Sequence, residues 1–401
     1  MTGVQTCALP IYSITATLKE NRTHEGLQFL LTDIERIKQN GFVEDELKLA
    51  KKNKLLSLEM SLTQENTTKS DEFLEEYKRH FLDKEMVSGI DFEFQLAKQV
   101  ISSITLKDIN DDFKKYAQPD DRLILFKSSE KYKNLVTKEM FVNLENEISK
   151  NKQKQSDYAL NNKKLVNKEL KGSKIVKERK YPNTDITELE LANGVKVLLQ
   201  PTKFKEKEFW FTAKSPGGYS HVPLSVLRSV NNTGKIVSQS GFGKFTRSEI
   251  NDLLSPAFIS VTPSFSYSEE LLSGKSISAY QKELFELIYL HFDEINYNKT
   301  SIDKLKTELK EDLKLTNADA KERFSRNFGN IFYQNHPRIL NLTEQEIDQI
   351  NLEDIKTFYA DRFKDASDFT FTFVGDFKID EFKGLIQKYL GSLPNKGRKE
   401  K

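Results

Sequence analysis

The sequence predicts an α+β fold, an antiparallel sheet with helices packed on one face, present in one and a half copies. Three observations predict it. The stretch from Ile186 to Phe245 reads as strand, tight turn, strand, loop, strand, glycine break and helix. A later run, Phe369 to Val374, alternates Phe and Thr with the period of a half-buried strand. Third, "ITLKDINDDFKKYAQPDDRLILF" from Ile104 pairs with "INLEDIKTFYADRFKDASDFTFTF" from Ile350, setting Leu106 on Leu352, Asp108 on Asp354 and Ile109 on Ile355. Only the second copy is preceded by the hairpin, strand and helix, so the first is a half-unit.

Taken in order, the chain opens with "MTGVQTCALPI", which has neither an amphipathic period nor a charged n-region and looks like a translated sequencing adapter. Residues 1–11 are therefore set aside, together with Cys7, the one cysteine. Leu27, Leu30, Leu31, Ile34 and Ile37 form a helical stripe that stops at Asn40-Gly41. A longer helix from Glu44 carries Leu55, Leu58 and Leu62. Helices over Ser70 to Phe81 and Phe92 to Ile101 follow, then the Leu106 helix and a strand at Leu123 to Phe126.

From Lys150 to Lys180, Lys and Arg outnumber Asp and Glu several-fold with little apolar period, which predicts a solvated connector. A nucleic-acid surface would interleave aromatics among the cations, and this stretch does not.

In the second copy, Ile186 to Leu191 and Val195 to Leu199 flank Asn193-Gly194, a pair suited to a two-residue hairpin turn with both φ positive. Lys207 to Lys214 gives a third strand, and Gly217-Gly218 breaks it before a helix from about His221. Thr246 and Glu249 make a capping box for a short helix to Leu254. Strands at Phe258 to Tyr267 and Leu271 to Ile277 precede an amphipathic helix over Gln281 to Ile295. Two helices across Ser301 to Tyr333 place Phe324, Phe328, Ile331 and Phe332 on one face. The Leu352 helix, the Phe369 strand and a helix from Ile379 to Leu390 complete the unit.

Composition narrows the function classes. With 37% hydrophobic and 30% charged residues, 401 residues support more than one core. A formal net charge of +2 offers no global attraction to nucleic acid. No apolar run approaches the ~20 residues of a membrane span.

Five histidines are available for metal or acid–base work. His24 opens a helix without a second His at ligand spacing. His80 sits beside Arg79, and His336 precedes Pro337 in a loop. His291 falls on the apolar face of its helix, where a hydrogen-bonded core histidine is expected. His221 remains, at the start of the helix after the third strand. "GFG" at Gly241 to Gly243 is no phosphate loop, and Ser215 and Ser220 do not form a nucleophile elbow.

The order "LANGVKVLLQPT", "FTAKSPGGYS", "SQSGFGKFT" and "ISVTPSFS" resembles the third domain of insulinase/pitrilysin-type zinc metallopeptidases, in the bacterial subgroup of long two-half chains. Active units of that family carry H-x-x-E-H on the helix after the third strand, two His holding zinc and Glu activating water. Here His221 is followed by Leu224 and Ser225 at the positions of Glu and the second His. The resemblance therefore implies the family's degenerate half, with no catalytic, cofactor-binding or metal-ligating residue in this chain and zinc in an N-terminal domain outside it. It also implies boundaries: 12–148 as the mostly helical end of domain two, 149–184 as a basic linker between halves, 185–397 as domain three, and 398–401 as the start of a connection to domain four.

The expected function is that of a fragment of a zinc metalloendopeptidase, its non-catalytic half supplying chamber wall, hinge and peptide binding. Partners would be a peptide substrate and the catalytic half of the same chain, with no nucleic acid and no transmembrane segment. A periplasmic or cell-envelope location follows from the resemblance. The alternative is a non-catalytic structural or partner subunit of the same fold.

Overall fold

The structure, a computed structural model, describes residues 13–16, 18, 22–117, 123–128, 136–156, 158, 164–254, 258–339 and 341–398. The stretch 1–11 and the last three residues of 398–401 lie outside them. The chain divides into two compact units, the first within residues 1–162 and the second essentially 163–401.

The first unit is helical among its described residues: α1 (Thr23–Asn40), α2 (Glu44–Thr63), α3 (Ser70–Asp83), α4 (Ile90–Ser103), α5 (Leu106–Tyr116) and α6 (Lys138–Ser149). Asn40-Gly41 ends α1 as expected, with Gly41 at φ 76° and the next amide, Phe42 N, donating to Asn110 Oδ1 at 2.7 Å. The sequence reading missed α6. Thr137 caps it, and it buries Phe141, Leu144 and Ile148 against Leu27 and Leu31 of α1.

The strand expected at Leu123 to Phe126 does not form: these residues have no regular structure, and Leu123 is 90% exposed. A strand exists only by pairing, and no strand is present among the described residues of this unit.

The second unit contains β1 (Ile175–Lys180), β2 (Thr187–Leu191), β3 (Lys196–Pro201), β4 (Glu208–Pro216), α7 (Leu224–Val230), α8 (Thr233–Ser238), β5 (Gly241–Phe242), α9 (Arg247–Leu254), β6 (Ser260–Phe265) and β7 (Glu269–Ile277). It continues through α10 (Gln281–His291), β8 (Ile295–Asn296), α11 (Ser301–Ala318), α12 (Ala320–Phe332), α13 (Glu344–Gln349), α14 (Leu352–Phe363), β9 (Thr370–Gly375) and α15 (Ile379–Tyr389). The main sheet runs β1-β2-β3-β9-β4-β7-β6, and every pair in it is antiparallel except β3–β9, which is parallel. The all-antiparallel expectation is corrected at that one pair. Strand β9 arrives from a helix, α14, and so enters the slot between β3 and β4 in the direction a crossover imposes.

Strand β1 lies inside the stretch expected to be a solvated connector. Its register along β2, from Lys180 opposite Thr187 to Ile175 opposite Leu191, extends the sheet by one strand despite the basic composition. A second correction concerns the β2–β3 turn. Glu190 pairs with Lys196, and Gly194 N bonds Leu191 O at 2.8 Å, so the loop is three residues with only Gly194 at positive φ (84°). Asn193 Nδ2 donates to Leu390 O at 2.9 Å, which ties the turn to the end of α15.

One face of the sheet is buried and the other open. Leu189, Val197, Phe371, Ala213, Leu272 and Pro263 lie in register across six strands and are all buried. On this face Phe285 of α10 stacks on Phe373 (5.2 Å between ring centres), and Phe382 of α15 meets Phe209, Phe285 and Phe373 edge-on. Such aromatic packing dominates the energetics of a core. Helix α10 is buried from Leu284 to His291, as its nearly continuous apolar sequence demands.

The open face carries Leu198, Thr372, Thr212, Ser273 and Thr262 in one row, beside Trp210 at 53% exposure. The α12 stripe lies on one face as the period implies, and that face is outward. Phe324, Phe328 and Phe332 stack on one another at about 6 Å spacing and stay exposed. Among the described residues no helix is long and apolar enough to cross a membrane.

Candidate functional site

The sequence points to the turn after β4 and the helix that follows. Strand β4 ends at Pro216, and the backbone then runs beside the β6–β7 turn. Gly217 N donates to Ser268 O at 2.8 Å, Tyr219 N to Ser266 O at 3.0 Å and Ser220 N to Tyr267 O at 2.8 Å. Gly218, at φ 59°, is required here: a Cβ would stand 2.3 Å from Ser266 O.

Two charged side chains complete the turn. Glu270, fully buried on β7, accepts from Gly218 N at 2.9 Å and from Arg362 at 3.3 Å. Burial pushes its carboxyl above the ordinary value against the opposing pull of Gly218 N–H and Arg362. Arg338 donates to Tyr219 O at 3.0 Å and to Val222 O at 2.7 Å, pinning the chain on either side of His221.

The helix opens later than expected. Pro223 is the N-cap of α7 and disfavours helical backbone at Val222, so His221 sits in the preceding turn rather than on the helix. Val222, Leu227 and Val230 pack with Phe358, which turns His221, Leu224 and Ser225 to solvent. This set does not fit zinc. Leu224 has no donor atom, the Ser225 hydroxyl is a weak neutral ligand, and His221 lies outside the helical turn that would pair it with position 225. Among the described residues no group of three His, Cys, Asp or Glu is placed to hold a metal.

The other histidines are dispersed. His24 and His336 are exposed, and His80 Nδ1 bonds Glu85 O at 2.6 Å. His291 is 2% exposed, lies 4.5 Å from the Phe242 ring and bonds Leu287 O through Nδ1 at 2.8 Å. Burial lowers its pKa to about 4. The structure therefore brings none of the five together.

The sequence reading missed Glu270, Arg362 and Arg338. A signal for Glu270 existed: strand period puts it on the face of Leu272 and Ser276, a buried row where a carboxylate needs partners. Nothing local marks the two arginines, which act from distant segments.

Three comparisons place this geometry among known proteins. Residues 349–401 match the family model described as Peptidase M16 inactive domain. A zinc protease PQQL-like protein of Arabidopsis thaliana is 23% identical over 90% of this chain and 36% of its own length. The probable zinc protease PqqL of Haemophilus influenzae is 20% identical over 92% of this chain and 39% of its own. The chain thus spans well under half of these relatives. Among solved structures, the periplasmic protease PqqL from Escherichia coli superposes with a TM-score of 0.56 at 20% identity, covering 95% of this chain and 42% of that one. The α+β architecture and the resemblance to insulinase/pitrilysin peptidases are both supported.

Proposed function

We propose that this chain, a relative of the insulinase/pitrilysin zinc peptidases and of their inactive-domain type, is a non-catalytic segment of a zinc metalloendopeptidase. In this reading it forms chamber wall and hinge and holds extended peptide, while zinc and the water-activating carboxylate belong to another part of the same protein. One observation carries it. The turn and helix that would bear the metal motif are fully built and pinned by Glu270 and Arg338, yet they present His221, Leu224 and Ser225 to solvent.

The open sheet face supports the peptide-binding part, because its Thr and Ser rows flank an exposed Trp210. An aromatic with a polar edge suits a chain that must be held and released. Wild-type chain is titrated with an unfolded, carboxymethylated protein while Trp210 emission, peptide-bond cleavage and bound zinc are followed; Trp210 is the one tryptophan. The expected result is a change in emission with no cleavage and no stoichiometric zinc. Cleavage with bound zinc overturns the reading.

A second reading, a structural or partner subunit of the same fold, draws support from the stacked, exposed Phe324, Phe328 and Phe332. It predicts no emission change in the same titration. A periplasmic or cell-envelope location is part of the first reading, by analogy with the Escherichia coli relative.

A further inference from the structure

On the helical side of the sheet, a cleft of about 200 Å³ opens between the end of α10 with β8 and the flank of α14. Its floor is aromatic and rigid. Tyr359 and Phe363 stack almost parallel, 4.4 Å between centres, and the Tyr359 hydroxyl donates to His291 O at 3.1 Å. Phe292 and Ile295 close the floor from the other element.

The rim is divided by charge. Glu294 stands on the α10–β8 wall, and Lys356 and Lys364 stand on the α14 wall. Lys356 is paired with Glu353 at 2.7 Å. Lys364 is exposed and makes no ion pair among the described residues, and the same holds for Glu294. A cleft this size holds one large side chain and falls below the range of about 300–1,000 Å³ typical of drug-sized ligands.

We propose that this cleft binds the C-terminal residue of a peptide, aromatic or large aliphatic, with its side chain on the Tyr359–Phe363 floor, its carboxylate at Lys364 and its amide N–H toward Glu294. Charge complementarity selects this occupant. An internal residue of a peptide brings no carboxylate to Lys364, and a fatty acid brings no donor to Glu294. The site is separate from the open sheet face and does not rest on the peptidase reading.

The full chain is titrated by fluorescence anisotropy with dansyl-Gly-Gly-Phe, the same peptide as its C-terminal amide, and dansyl-Gly-Gly-Asp. The free-acid Phe peptide binds, and the amide and the Asp peptide bind about tenfold more weakly or not at all, a loss of about 1.4 kcal/mol. Lys364→Met, at an exposed position, reduces binding of the acid to the level of the amide, and Ala360→Phe, which fills the cleft, abolishes it. The wavelength of the Trp210 emission maximum stays constant throughout, since Trp210 faces the other side of the sheet, although energy transfer to a bound dansyl group lowers its intensity. Equal binding of acid and amide, insensitivity to Lys364→Met, or no binding by any probe overturns the proposal. Binding that shifts the Trp210 emission maximum and ignores Lys364→Met also overturns it, and favours the open face instead.

Discussion

Glu270 Oε1 lies 2.9 Å from the backbone nitrogen of Gly218, and its partner oxygen Oε2 has no hydrogen bond among the described residues. A buried carboxylate thus holds the glycine turn that leads to His221. Removing it leaves the buried Gly218 N–H without its acceptor and takes one carboxylate from Arg362, which keeps Asp361 at 2.8 Å, so Glu270→Leu is expected to cost about 1–3 kcal/mol in urea denaturation.

Glu270→Gln keeps an acceptor for Gly218 and removes the charge. Because burial raises the Glu270 carboxyl above its unfolded value, the wild type gains most from it below the unfolded pKa and loses that contribution as pH rises through the folded one. The stability of wild type relative to Glu270→Gln should therefore fall as pH rises from the ordinary carboxylate range. A difference that stays flat or grows with pH contradicts the assignment.

Gly218→Ala forces a Cβ into Ser266 O at a left-handed φ and is expected to destabilise by about 2–4 kcal/mol. Gly329→Ala, in the exposed helix α12 where a Cβ meets nothing, is expected to stabilise by about 0.5–1 kcal/mol. Thermal melts of the two variants should move in opposite directions.

His291 is buried neutral, with a pKa of about 4. Its contribution is full above the unfolded pKa and is lost as pH falls through the window from about 6.5 to 4, by up to about 3 kcal/mol. Urea midpoints of wild type should drop across that window, while His291→Leu should be less stable at pH 7 and show a flatter profile.

Restoring residue types does not restore geometry at the degenerate motif. Leu224→Glu with Ser225→His writes out the family pattern, but Pro223 still starts the helix after His221. The double variant is expected to hold no stoichiometric zinc after dialysis. Metal analysis showing one zinc per chain would mean that Pro223 does not impose this start.

Asp365 accepts from Ser367 N, Ser367 Oγ, Lys396 N and Arg398 N. Burial pushes its carboxyl up, and these four bonds outweigh that and hold it below the usual value. The tie is present above the unfolded carboxyl pKa and is lost as pH falls through the folded one. Asp365→Ala should therefore expose residues 394–398 to limited proteolysis at pH 7, where the wild type resists.

The sequence was legible where local pattern and tertiary context agree. The Phe-Thr alternation of β9 lies between two strands, and its inward Phe371 and Phe373 meet the rings the period promised. The same kind of apolar run at Leu123 to Phe126 has no strand beside it and stays irregular. Asn193-Gly194 marked a turn correctly but not its type, because the Asn193 side chain is held by Leu390 about two hundred residues later. Helix α12 had the right period and an exposed face, since period locates an apolar stripe without saying what covers it. At the candidate site the residues were readable and the start of α7 was not, though Pro223 was there to mark it.

Strand β9 has a consequence for biosynthesis. It fills the gap between β3 and β4, strands that are neighbours in sequence, and it ends at Gly375. While the ribosome is still short of that residue, β1-β2-β3 and β4-β7-β6 are two separate ribbons, each with an unpaired edge beside the vacancy. The pairing of β3 with β9 thus spans the greatest sequence separation in the sheet, and until β9 arrives both flanking edges are open to pairing with other strands.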